Sequence, residues 1–200
     1  MWFLLYWTKD DFMKIQARRN VFETNSSTQH TLCIKKADGF EGFVSSLKEQ
    51  GGVFTIPSNG SKSWYEEFTY KSIVDISGFS FKEKLDILVV STLANYELDG
   101  FLESISMIQN SLSELGIKVI VDFGKLVELH DNYYWDDGLY GSISNMIGKD
   151  NILDFLFSND CAYTKWCDEC CGEPGEDIEA VWKRFNDIPK EDKTVLYERR

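Results

Sequence analysis

The sequence predicts an α+β fold, a single compact domain in which a small mixed or antiparallel sheet packs on paired helices. Three observations carry this. Two helical patterns stand side by side over 80–96 and 101–115, a β-branched strand follows at once over 117–121, and short strand-like runs separated by polar turns fill the first seventy residues. A chain of 200 residues, 43% hydrophobic and 14% aromatic, suits one domain with one core. No internal repeat or linker divides it. The expected organisation is an N-terminal extension over 1–12, an α+β domain over 13–188 with a cysteine-rich loop at 161–171, and a charged tail over 189–200.

The elements follow in chain order. Trp2, Phe3, Leu4, Leu5, Tyr6 and Trp7 make an apolar opening that needs cover, either as an added docking arm or as residues upstream of a natural start at Met13. Lys14 to Phe22 reads as a strand, Glu23 to Gln29 as a tight loop and Thr31 to Ile34 as the returning strand. A short helix near Gly42 to Glu49 stops at Gly51-Gly52. Val53 to Ile56 is a strand ended by the turn Pro57-Ser58-Asn59-Gly60, and Trp64 to Tyr70 reads as another.

Ser80, with Glu83 three residues on, forms a capping box that starts a helix running to about Tyr96. Its centre, Leu85, Ile87, Leu88, Val89 and Val90, is apolar on nearly every side and therefore belongs deep in the core. The next helix is amphipathic. Phe101, Ile105, Ile108, Leu112 and Leu115 recur at steps of three and four, and Gly116 ends it before the strand Ile117 to Val121. Three shorter helices complete the fold, over Gly138 to Ile147, Asn151 to Phe157 and Asp177 to Phe185.

With 33 acidic against 21 basic side chains, the formal charge is −12. Phosphate backbones are bound by clustered Lys and Arg, so this balance argues against electrostatic wrapping of duplex nucleic acid and favours a protein partner with a basic surface. No apolar run approaches the roughly 18 residues of a membrane span. Five cysteines without a secretory signal point to a reducing cytoplasm.

Three clusters could carry chemistry. In the first, Glu23, Asn25, Ser26, Ser27 and His30 bring a carboxylate, an amide, hydroxyls and an imidazole within eight residues, enough for a base, an oxyanion donor and a nucleophile. The same residue types also build turns by bonding nearby backbone. In the second, Cys161, Cys167, Cys170 and Cys171 contain a Cys-x2-Cys pair, half of a zinc site; no cofactor is certain, and zinc competes with a redox dithiol and with inert packing. His30 or His130 could replace one thiolate. In the third, Tyr133, Tyr134, Trp135, Asp136 and Asp137 join aromatic faces to carboxylates, a composition favoured at interfaces.

The run Arg18-Arg19-Asn20-Val21-Phe22-Glu23-Thr24-Asn25-Ser26-Ser27-Thr28-Gln29-His30 resembles the signature of a group of uncharacterised proteins from bacteriophages and mobile elements of Gram-positive bacteria, Arg-Arg-x-Val-Phe-Glu-Thr-Asn-Ser-Ser-Ser-x-His. Thr28 stands where the group usually has Ser and keeps a hydroxyl. Lys84 to Val119 is similar to the group's paired helices and following strand, and Asn151 to Asp160 to its Phe-Leu-Phe segment. The resemblance implies an accessory protein in the cytoplasm of a bacterial host. The acidic charge, and not the resemblance, adds the expectation that it acts by binding, as an inhibitor of a host defence complex whose basic site an acidic surface would occupy. The rival expectation is a hydrolase or group transferase that uses the Glu23-to-His30 segment.

Overall fold

The computed structural model describes residues 28–37, 39–58, 73–92, 98–132, 143, 146–167 and 175–199, with 28, 98, 99, 129–132, 166, 167, 198 and 199 as backbone only. The expected extension over 1–12, the strands Lys14 to Phe22 and Trp64 to Tyr70, and most of the helix Gly138 to Ile147 lie outside these residues.

The α+β class holds. In chain order the elements are β1 (Thr28–Lys35), α1 (Glu41–Glu49), β2 (Val53–Ile56), β3 (Ile73–Asp75), α2 (Phe81–Ser91) and α3 (Leu98–Ser113). They continue with β4 (Lys118–Val121), α4 (Phe123–Asn132), α5 (Ile152–Phe157), β5 (Cys161–Cys167), α6 (Glu176–Asn186) and β6 (Lys193–Arg199). Four strands form an antiparallel sheet in the order β3-β5-β1-β6, and β2 pairs β4 in a separate parallel pair.

Strand alternation sorts the four-stranded sheet into two faces. His30, Leu32 and Ile34 of β1 share a face with Cys161 and Tyr163 of β5 and Val74 of β3, and all are buried on the main core. Thr31 and Cys33 take the opposite face, where Cys33 and Ala162 pack on Phe185 of α6 with Val181, Ile188 and Val195 around them. Helices therefore cover both sides. Arg184 fastens α6 to the sheet: its guanidinium lies 3.0 Å from the Asp75 carboxylate and 3.1 Å from that of Asp160, the second contact being an ion pair too poorly aligned for a hydrogen bond. Burial raises the Asp75 carboxyl, but hydrogen bonds from Arg184 and Ser77 outweigh it and leave the pKa below the ordinary value.

α2 is the central helix. Both bonds of its capping box form, from the Glu83 N–H to Ser80 Oγ at 3.3 Å and from the Ser80 N–H to Glu83 Oε2 at 2.7 Å. Every residue from Lys84 to Ser91 is buried, as its continuous apolar run predicts. Two charged groups go in with it. The Lys84 ammonium donates to the Ser158 carbonyl at 2.5 Å, and burial pulls its pKa below the usual lysine range. The Asp86 carboxylate accepts from the Ser58 N–H at 2.9 Å and from the Ser58 hydroxyl, pinning the chain where it leaves β2. Asp86→Ala leaves those donors without the carboxylate and is expected to cost about 2–3 kcal/mol by urea denaturation. A loss below about 0.5 kcal/mol would show that the Ser58 contacts contribute little.

The amphipathic helix α3 ends as its sequence requires. Gly116 adopts φ 74°, which lets the Ile117 N–H reach back to the Leu112 carbonyl at 3.0 Å. Gly52 closes α1 in the same left-handed region, and its carbonyl accepts from the Lys118 N–H at 2.8 Å, so the two glycine turns set the start of the β2·β4 pairing. Phe157 of α5 joins the core layers: its ring stacks on Phe40 at 5.0 Å and on Phe81 at 5.4 Å.

Several expectations are corrected. β1 begins at Thr28 rather than Thr31, which moves His30 from a loop into a strand. Cys161 to Cys167 is the strand β5 and not part of a loop: Cys-Ala-Tyr-Thr-Lys-Trp-Cys alternates, and its neighbouring cysteines obscure that pattern. The charged tail over 189–200 contains β6, in which Val195 and Leu196 pack on opposite faces of the sheet amid charged residues. β3 and α4 were not anticipated at all. The signal for α4 was present in Asp122, whose carboxylate accepts from the Lys125 N–H at 3.1 Å at the helix start.

Candidate functional site

The antiparallel register brings two of the sequence's candidate clusters to one end of the four-stranded sheet. Thr28 pairs with Cys167, and His30 pairs with Lys165 on one side and Glu198 on the other. The start of β1 therefore lies beside the end of β5.

His30 is fully buried, and its Nδ1 lies 2.5 Å from the Tyr163 hydroxyl. Tyr163, itself fully buried, sits diagonally across from His30 on the same face, with the two ring centroids 6.0 Å apart. The cause is periodicity: Leu32 and Ile34 must face the core, and a residue two positions before Leu32 follows them in. His30 is thus an interior group held against Tyr163, an arrangement that gives its imidazole no exposed edge for a substrate. Glu23, Asn25, Ser26 and Ser27 lie outside the described residues. Tyr163 was not singled out in the sequence, although the alternation of β5 marks it as a core-facing residue.

The four-thiolate set is corrected as well. Cys161 and Cys167 occupy opposite ends of β5, whose register with β1 runs without interruption from Ile34↔Cys161 to Thr28↔Cys167. Six strand steps separate their Cα atoms by about 20 Å, whereas two thiolates on one zinc ion lie within about 4.6 Å of each other. Cys161 cannot share an ion with Cys167. It is fully buried in the main core, and burial drives its thiol pKa far upward. On the other face, Cys33 is pushed up to about 11, again chiefly by burial. Both thiols are protonated, inert packing groups at neutral pH. Alkylation of the native protein is expected to spare Cys33 and Cys161 and to modify both after unfolding; equal labelling of native and unfolded chain, read by peptide mass spectrometry, would contradict their burial. Cys170 and Cys171 lie outside the described residues.

The third cluster, Tyr133, Tyr134, Trp135, Asp136 and Asp137, also lies outside them, but the helix leading into it is described. α4 buries Leu126 and exposes Phe123 and Val127, one turn apart on its outer side, at 50% and 57%. The Phe123 ring packs edge-on against Phe101 of α3 at 6.1 Å, which fixes it in place. Ile120, three residues earlier, is exposed too, and so is Val53 on the same outer face of the parallel pair. Among the described residues, no helix is long and apolar enough to cross a membrane.

Fold and site together define an acidic α+β protein with a sealed histidine–tyrosine pair at one end of its sheet and an apolar exposed strip along α4. No protein-family model, no curated protein and no solved structure matches the chain.

Proposed function

We propose that the protein acts by binding a protein partner with a basic surface, through the strip of α4 and the aromatic and acidic residues Tyr133, Tyr134, Trp135, Asp136 and Asp137 that follow it. The carrying observation is the half-exposure of Phe123 and Val127 at a spacing of one helical turn, with Ile120 beside them in the chain. Single exposed apolar residues are ordinary, but a group of them bordered by acidic residues is the composition of a contact surface. The formal charge of −12 supplies long-range attraction to a basic partner and makes the encounter fast and salt-sensitive.

The resemblance to proteins of bacteriophages and mobile elements supports an origin as an accessory protein in the cytoplasm of a bacterial host, and the acidic charge supports the reading of an inhibitor that occupies the basic site of a defence complex. The enzymatic alternative draws no support from His30, since the imidazole is enclosed. Affinity capture from host lysate tests the proposal. A partner retained at low salt should be lost at high salt, and lost at low salt from Phe123→Ser/Val127→Ser and from Asp136→Lys/Asp137→Lys. Capture that both double variants and high salt leave unchanged contradicts it.

A further inference from the structure

The parallel pair β2·β4 is covered on one face and open on the other. Phe54, Ile56, Val119 and Val121 turn toward the main core, while the alternate residues Val53, Thr55, Lys118 and Ile120 face outward and are exposed. Parallel strands in folded proteins are covered on both faces, so this outer face is a surface for an occupant. Its charges point to which one. The Asp122 N–H bonds the Ile56 carbonyl at 2.7 Å, which carries the pairing one residue past β4 and puts Asp122 in the outward row with Lys118 and Ile120. The row reads cation, apolar, anion, with Lys118 and Asp122 each two strand steps, about 6.6 Å, from Ile120. Such a row is its own complement when reversed.

We propose that two copies of the chain pack these faces together about a two-fold axis that lies between them and crosses the strands at Ile120. β4 then runs antiparallel over β4 of the second copy, at the roughly 10 Å spacing of stacked sheets. Ile120 meets Ile120, and Lys118 of each copy meets Asp122 of the other. Thr55, which pairs with Ile120, meets its own counterpart beside the axis, and Val53 lies on the flank. Asp122 keeps its bond from the Lys125 N–H at the start of α4, since a carboxylate accepts more than one donor. The formal charge of −12 repels one copy from another. At about 0.15 M salt, however, a Debye length of about 8 Å screens charges outside the face, whereas Lys118 and Asp122 come into contact. This inference does not rest on the binding function proposed above: it needs no other protein, and only Ile120 is common to both.

Sedimentation equilibrium of the purified full chain at about 0.15 M salt tests it, and a negative result leaves the partner reading untouched. A small face gives weak association, so the mass should rise from that of one chain at about 1 μM to that of two at about 500 μM. Lys118→Asp, Asp122→Lys and Ile120→Lys should each stay single throughout, because each sets like charges against one another across the axis. An equimolar mixture of Lys118→Asp and Asp122→Lys should recover the dimer, since each face then meets its complement. Asp122→Lys also removes the cap of α4; if it does not fold, Lys118→Asp and Ile120→Lys, both at exposed positions, decide the matter. A wild type that stays single at about 500 μM would overturn the proposal. So would Lys118→Asp or Ile120→Lys dimerising like the wild type, or a mixture of the two folded charge variants that stays single.

Discussion

A chain ended at Pro189 will fail to reach the native state. β6 pairs with β1 along its length, from Lys35↔Lys193 to Gln29↔Arg199, and the Lys36 N–H bonds the Asp192 carbonyl at 2.8 Å. Removing it turns β1 into an edge strand with an open row of backbone donors and acceptors, and takes Leu196 and Val195 from their places opposite Leu32 and Cys33. The Lys193 ammonium also leaves the Phe185 carbonyl, to which it donates at the end of α6. The loss reaches both core clusters at once. It is expected to match the total stability of a domain this size, about 5–15 kcal/mol, and to abolish the cooperative urea transition. A truncated chain that unfolds cooperatively within about 1 kcal/mol of the full-length protein would restore the reading of these residues as a tail.

Tyr163→Ala will give the largest loss of any single substitution considered, about 3–5 kcal/mol. The side chain is fully buried in the middle of the sheet, with Val74 across from it on β3 and Leu32 on β1. Tyr163→Phe separates packing from polarity: it keeps the ring and removes only the hydroxyl beside His30 Nδ1, for an expected loss of about 1–3 kcal/mol. If the two variants were equally unstable, the hydroxyl and not the ring would carry the site. If both were neutral, Tyr163 would not be a core residue.

The helical half of the molecule was legible because its signals are local. Ser80 and Glu83 announce α2, the steps from Phe101 to Leu112 announce α3, and Gly51, Gly52 and Gly116 mark the chain reversals that α1 and α3 need. The sheet was less legible. A strand seven residues long gives only three or four residues per face, so a few charges or cysteines disguise it, as in β5 and β6. Polarity misled most at His30. Asn, Ser and Thr before it read as a loop, and only the core-facing rhythm of Leu32 and Ile34 shows that the strand has begun. No local pattern could reveal that Cys167 lies beside Thr28, since a register joining positions so far apart in the chain is set by tertiary packing.

The proposal of binding rather than catalysis rests in part on the enclosure of His30, and diethyl pyrocarbonate tests that enclosure directly, because it modifies only imidazoles it can reach. Peptide mass spectrometry of the full-length chain should find His30 unmodified in the folded protein over a time in which the urea-unfolded chain reacts completely. Modification of His30 at the same rate in both states would place the imidazole in open solvent and return the catalytic reading to first place.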